Sequence, residues 1–204
     1  MVSTRISWGI LTVTVAALAS VAMGGSRAMH NSINLQLRDA RTLNDFDRLI
    51  TTHVDERVEL TDALIGMLRV EQDIPKKARI CYALGEYRAR EAVADLSRNI
   101  DLTVEVKKEA GKRMPRWGKY PAWEALIKIG FPAIDEMIRN IEASENEKIT
   151  ELSTRVISGI TGKVLAETIV QKRADEQTDP AKAAKLGHAL YYLRSTKVPR
   201  SAKQ

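Results

Sequence analysis

Cysteine is almost absent: one residue, Cys81, in 204. An intramolecular disulfide and any multi-cysteine metal site are thereby excluded. Cys81 stands on the apolar side of a helical pattern, which predicts a buried structural thiol. Aromatic residues are scarce at 5%. After residue 30, strand-like alternation is confined to Leu102-Thr103-Val104-Glu105-Val106, so helix is favoured over sheet. His30, His53 and His188 are too widely spaced for a local ligand set, and no His-Glu-x-x-His, P-loop, dinucleotide turn or nucleophile elbow occurs. The acidic runs Asp55-Glu56 and 142–147 lack the alternating oxygen ligands of a calcium loop and read as solvated helix ends and turns. No catalytic residue, metal or cofactor is expected.

What is present is ordinary for a folded chain, 44% hydrophobic and 28% charged residues, with length for one domain or a short repeat array. The formal charge of +6 favours anionic surfaces, but the balance alone does not make nucleic acid the expected partner.

Residues 1–22 are set apart from the fold. Arg5 precedes an uncharged, mainly apolar stretch from Ile6 to Ala16, and Ala17-Leu18-Ala19 or Ser20-Val21-Ala22 places small residues where a signal peptidase reads. A cleaved export signal is expected, giving a periplasmic or secreted protein; the alternative is an uncleaved membrane anchor over residues 6–23. Residues 23–40 read as a linker, 41–194 as a helical repeat domain interrupted by a basic insertion at 101–120, and 195–204 as a basic tail.

Within the domain, Thr42 precedes Leu43, Phe46, Leu49 and Ile50, a short amphipathic helix. Val54, Val58, Leu64, Ile65 and Leu68 predict a second helix, the pair capping the array. Asp73-Ile74-Pro75 starts another, with an acidic N-cap and proline in the first turn. Its inward stripe is Ala78, Cys81, Leu84 and Tyr87, with Gly85 admitting a neighbouring backbone or ending the helix. Val93, Leu96 and Ile100 follow. Pro121 restarts the pattern with Trp123, Leu126, Ile127 and Gly130, then Ile134, Met137, Ile138 and Ile141. Arg139-Asn140-Ile141 repeats Arg98-Asn99-Ile100 at a spacing of 41, a period expected of stacked helix pairs. Ile149 to Ile160 and Val164 to Ile169 give a weaker third pair. Asp179-Pro180 opens a last helix through Leu186, Leu190 and Leu193.

Ala83-Leu84-Gly85, Arg88-Ala89 and Ala92-Val93 with Leu96 resemble the short HEAT-like repeat of phycobilisome bilin lyases. Ala125-Leu126, Ile129-Gly130, Pro132-Ala133-Ile134 and Ile138 resemble a HEAT repeat of the same broad group. The resemblance covers roughly residues 73–142 and implies an all-α fold, a short α-solenoid of HEAT-like hairpins in a right-handed superhelical stack. It also implies a non-catalytic scaffold whose partner is another protein. A bilin-lyase-like enzyme is the alternative that the repeat's namesake carries.

One stretch stands out as a candidate partner-binding site: Lys107, Lys108, Lys112, Arg113, Arg116, Trp117, Lys119 and Tyr120 interleave cations with aromatics. It would hold an acidic partner surface, a phospholipid head group or an anionic polymer, nucleic acid included. The competing reading is that Trp117 and Tyr120 cover the edge of the helices while the lysines keep the loop soluble.

Overall fold

The computed structural model describes residues 32–105 and 118–195, and among them there are ten helices and no strand. In chain order they are α1 (32–39), α2 (Leu43–Thr52), α3 (Arg57–Val70), α4 (Ile74–Glu86), α5 (Val93–Ser97), α6 (Pro121–Ile129), α7 (Ile134–Ala143), α8 (Glu147–Thr161), α9 (Lys163–Glu176) and α10 (Pro180–Ser195). Their starts are written in the sequence. Thr42 and Asp45 form a reciprocal capping box at α2. The carboxylate of Asp73 accepts from the Lys76 amide at 2.6 Å, and Asn146 and Asp179 do the same work at α8 and α10.

Four helices lie side by side and run in one direction, as their paired ends show. The Tyr87 hydroxyl, just past α4, donates to the Ile50 carbonyl near the end of α2 at 3.0 Å, while Lys76 at the start of α4 donates to the Arg38 carbonyl ahead of α2. Late in α4, Glu86 pairs with Lys128, late in α6. Between α6 and α8, the Lys148 ammonium sits 5.3 Å over the Tyr120 ring at the starts, and Gly159 faces Ile127 near the ends. The row is therefore α2, α4, α6, α8. Against it lie α3, α5 and α7, joined laterally by Arg69–Asp95 and by the Asn140 amide donating to Ser97 Oγ at 2.9 Å. Helix α10 packs on α7, α8 and α9 and closes the far end.

Helix α4 is the middle of the core. Ile80, Cys81, Tyr82, Ala83, Leu84 and Gly85 are all buried, because helices contact it on several sides. Gly85 is where α4 and α6 touch most closely. A β-carbon there would sit 2.8 Å from the Ala125 Cα, so only glycine permits this spacing.

The last three of the four turns leaving this row each reverse through a residue with positive φ: Arg88 (49°), Gly130 (83°) and Gly162 (80°). The 3-10 turns Arg90–Ala92 and Phe131–Ala133 follow the first two, and α5 and α7 then begin 41 residues apart. Equivalent ion pairs recur as well: Arg98 with Asp95 and Arg139 with Glu136.

Several expectations are corrected. Residues 32–39, expected within a linker, form α1, whose Ile33, Leu37 and Ala40 are buried at helical spacing; three small contacts amid polar residues gave too faint a period. Gly85 lies inside α4 and does not end it, so the turn equivalent to Gly130 is carried by Arg88. Val54 and Val58, assigned to the inward stripe, are 63% and 70% exposed, and Val164 is 81% exposed. The buried residues of α3 are instead Leu60, Thr61, Ala63, Leu64, Ile65 and Leu68. Glu142 is not solvated but buried, its carboxylate held by Arg173 and Gln177. Of the strand-like stretch, 102–105 is irregular, and Val106 lies outside the described residues, as do residues 1–22, where an export signal is expected, and the basic tail beyond 195.

Candidate functional site

Lys107, Lys108, Lys112, Arg113, Arg116 and Trp117 lie outside the described residues. Lys119 and Tyr120 lie within them and come together, the Lys119 ammonium 5.4 Å from the centre of the Tyr120 ring. The opposite ammonium of Lys148 is paired with Glu151 at 2.9 Å; its pKa is raised first by that carboxylate and also by Tyr120. Tyr120 is half-buried and packs on the core, as does Trp123. The ends of the insertion are tied: the Val104 amide donates to the Lys119 carbonyl at 3.0 Å, and the Gly118 amide to Glu124 at 2.6 Å. Burial raises the pKa of Glu124 despite that bond.

Charge is divided unevenly along the chain. The described residues hold 22 Lys and Arg against 25 Asp and Glu, a net of −3; the remaining residues hold ten cations against one acid, +9, which together give the +6 of the whole. The helical body is thus not itself a basic surface.

The opposite edge, where the row's helices end and the chain turns back, has a different character. Four turns meet there in order. The first lies beside the second because Arg57, at the start of α3, donates to the Tyr87 carbonyl and stacks 5.7 Å over the Tyr87 ring. Glu86–Lys128 joins the second to the third, and Gly159 against Ile127 joins the third to the fourth. These turns carry Val54 and Val58, then Phe131, then Val164 and Leu165, which are 44–81% exposed. Single exposed apolar residues need no explanation; five of the nine large ones exposed among the described residues, at three of the four turns of one edge, do.

A hollow of about 260 Å³ opens between the first two turns, walled by Arg57, Val58 and Asp62 on one side and by Arg88, Arg90 and Glu91 on the other. Arg57 is committed to Tyr87. Arg88 and Arg90 are exposed and form no ion pair among the described residues. Sequence reading missed this edge because it spent Val54, Val58, Val164 and Leu165 on the core. The available signal was their phase: Val58 falls out of step with Leu60, Leu64 and Leu68.

The remaining reactive groups are structural. Burial pushes the Cys81 thiol up to about 12, which leaves it without thiolate at neutral pH. His53 is buried between Glu56 and Gln36. His188 lies with Tyr191 and Tyr192, ring centroids 6.3 and 4.9 Å away, beside Glu147. Among the described residues no three His, Cys, Asp or Glu side chains are placed to share a metal ion, and no helix is long and apolar enough to cross a membrane.

No family model, curated protein or solved structure matches the chain.

Proposed function

We propose that this protein is a non-catalytic scaffold, a short right-handed α-solenoid of HEAT-like hairpins exported from the cytoplasm, which binds another protein. Support for the solenoid comes from the parallel row α2–α4–α6–α8, the 41-residue offset of α5 and α7, and the recurring left-handed turns. Support for export comes from the apolar, small-residue pattern of residues 5–22. The observation that carries the binding role is the succession of exposed apolar side chains at the hairpin turns, Val54, Val58, Phe131, Val164 and Leu165. They occupy one edge, and exposed apolar side chains gathered in this way mark an interaction surface.

A photo-crosslinking amino acid placed in turn at Phe131, Val164 and, on the far side, Lys182 tests this in the native cell. The reading expects one discrete adduct from the two turn positions and none from Lys182. Equal labelling from all three, or none from any, would refute it.

A second reading has its own observation: the +9 carried outside the described residues. It assigns an anionic polymer or surface to the basic insertion, and neutralising Lys112, Arg113 and Arg116 would then abolish a salt-sensitive interaction. A bilin-lyase role has less in its favour, since the lone thiol is buried and protonated.

A further inference from the structure

Resting on the protein-binding reading above, we infer that the hollow between the first two hairpin turns takes a carboxylate from an extended acidic and aliphatic segment of the partner, with Arg88 and Arg90 as its receptors.

Two independent observations lead there. Two guanidinium groups wall a hollow in which Arg57 is already engaged and neither Arg88 nor Arg90 is neutralised. Asp62 and Glu91 also line it, but neither closes an ion pair with them. Guanidinium groups in this state favour a carboxylate, which they grip through paired N–H donors. The second observation is conformational. Arg88 holds φ at +49°, where the third and fourth turns have glycine. A left-handed backbone disfavours a residue with a β-carbon by roughly 1 kcal/mol. An arginine kept where glycine would be more stable points to a use for its side chain.

The same edge sets the other half of the ligand. Parallel neighbours are spaced about 8–10 Å apart, so the four turns extend over roughly 25–30 Å. An extended chain rises about 3.3 Å per residue, so two spacings of about 8–10 Å, from Arg88 past Phe131 to Val164, take some five or six residues. Such a segment places carboxylates in the hollow and aliphatic side chains on Phe131 and Leu165, both exposed. It also suits the body's overall charge of −3 only if its acidic groups are met locally by arginine, so Arg88 and Arg90 decide the specificity.

The test uses the full chain and fluorescein-labelled ten-residue peptides read by anisotropy. The probe has Glu at its first four positions and Leu at the other six, so that either face of the extended chain offers carboxylates first and aliphatic groups after them; the controls replace every Glu by Lys, or every Leu by Ser. The Glu-Leu peptide should bind at least tenfold tighter than either control, and weaken as NaCl rises from 50 to 300 mM, as screened charge requires. Arg88→Gly with Arg90→Ala should lower its affinity at least tenfold. Glycine is at home in that turn, so this variant keeps or raises the melting temperature, and loss of binding is not loss of fold. Arg88→Lys with Arg90→Lys should fall between. Absence of Glu-Leu binding, equal binding of the Lys-Leu peptide, or an unchanged affinity in the Arg88→Gly, Arg90→Ala variant overturns the inference. The scaffold reading is judged separately, by whether the Phe131 and Val164 crosslinks form and survive that variant.

Discussion

Changing Gly85 to alanine sets two known effects against each other at one position. In the interior of α4, alanine is favoured over glycine by about 1 kcal/mol. The added β-carbon, however, would lie 2.8 Å from the Ala125 Cα and 3.0 Å from its Cβ, where carbon atoms prefer roughly 3.5–4.0 Å. The nearest atom is backbone and cannot turn aside. Helices α4 and α6 must therefore part by on the order of 1 Å, loosening Leu84 and Leu126, both fully buried. Overpacking of this kind costs about 1–3 kcal/mol, which outweighs the helical gain and leaves a net loss of about 1 kcal/mol. For a domain of this size that lowers the melting temperature by about 2–4 °C. Gly66, exposed in α3 with nothing within 4 Å of a β-carbon, supplies the control: there alanine gains about 0.4–1 kcal/mol. Gly159 lies between, since its obstacle at 2.7 Å is the flexible end of Ile127, and alanine there should change stability little. Adding Ala125→Gly to Gly85→Ala should rescue less than half, because the 2.8 Å contact is with Cα. Parallel thermal melts by circular dichroism decide the matter. If Gly85→Ala melts at or above the parent, the close approach of α4 and α6 is wrong.

Gly130, with φ 83° and ψ −142°, occupies a region almost closed to other residues, so Gly130→Ala should cost about 1–3 kcal/mol in urea unfolding, while Arg88→Gly should be neutral or stabilising. Asp95 and Glu142 have pKa values lowered chiefly by hydrogen bonds from Arg69 and Arg173. Their contribution is complete above the ordinary values of 3.8 and 4.5 and is lost as pH falls through the lowered ones. Asp95→Asn with Glu142→Gln should therefore show a smaller drop in stability between pH 7 and pH 3 than the parent, measured by melts across that range. Cys81, with its thiol pushed up to about 12, should react with a thiol reagent at pH 8 only after denaturant is added; prompt reaction in the native state would contradict its burial.

The all-helical character was legible because its signals are local. Thr42, Asp73 and Asp179 cap helices by contacts within three residues, and the stripes through Leu84, Leu126 and Met137 repeat at the helical period. What escaped depends on neighbours far away in sequence. Nothing near Gly85 says that Ala125 will lie against it, which is why its role remained open between contact and terminator. Arg88 gave no sign of its left-handed backbone, since that conformation is imposed by the turn between α4 and α5. Val58 and Val164 look like core residues by composition, and only the packed structure turns them outward. The faint stripe of α1 became a helix through its burial against the rest of the chain. Of the candidate basic site, only Lys119 and Tyr120 fall within the described residues, and Tyr120 serves in part as packing, while the apolar edge lay hidden in residues already assigned to the interior.

The uneven division of charge carries a practical corollary. At neutral pH the intact chain should adhere to a sulfonate resin, while a nicked product retaining only residues 32–105 and 118–195 should pass through it and be held by an amine resin. Proteolytic trimming would thus reverse the sign of the molecule without removing any of the ten helices of residues 32–105 and 118–195.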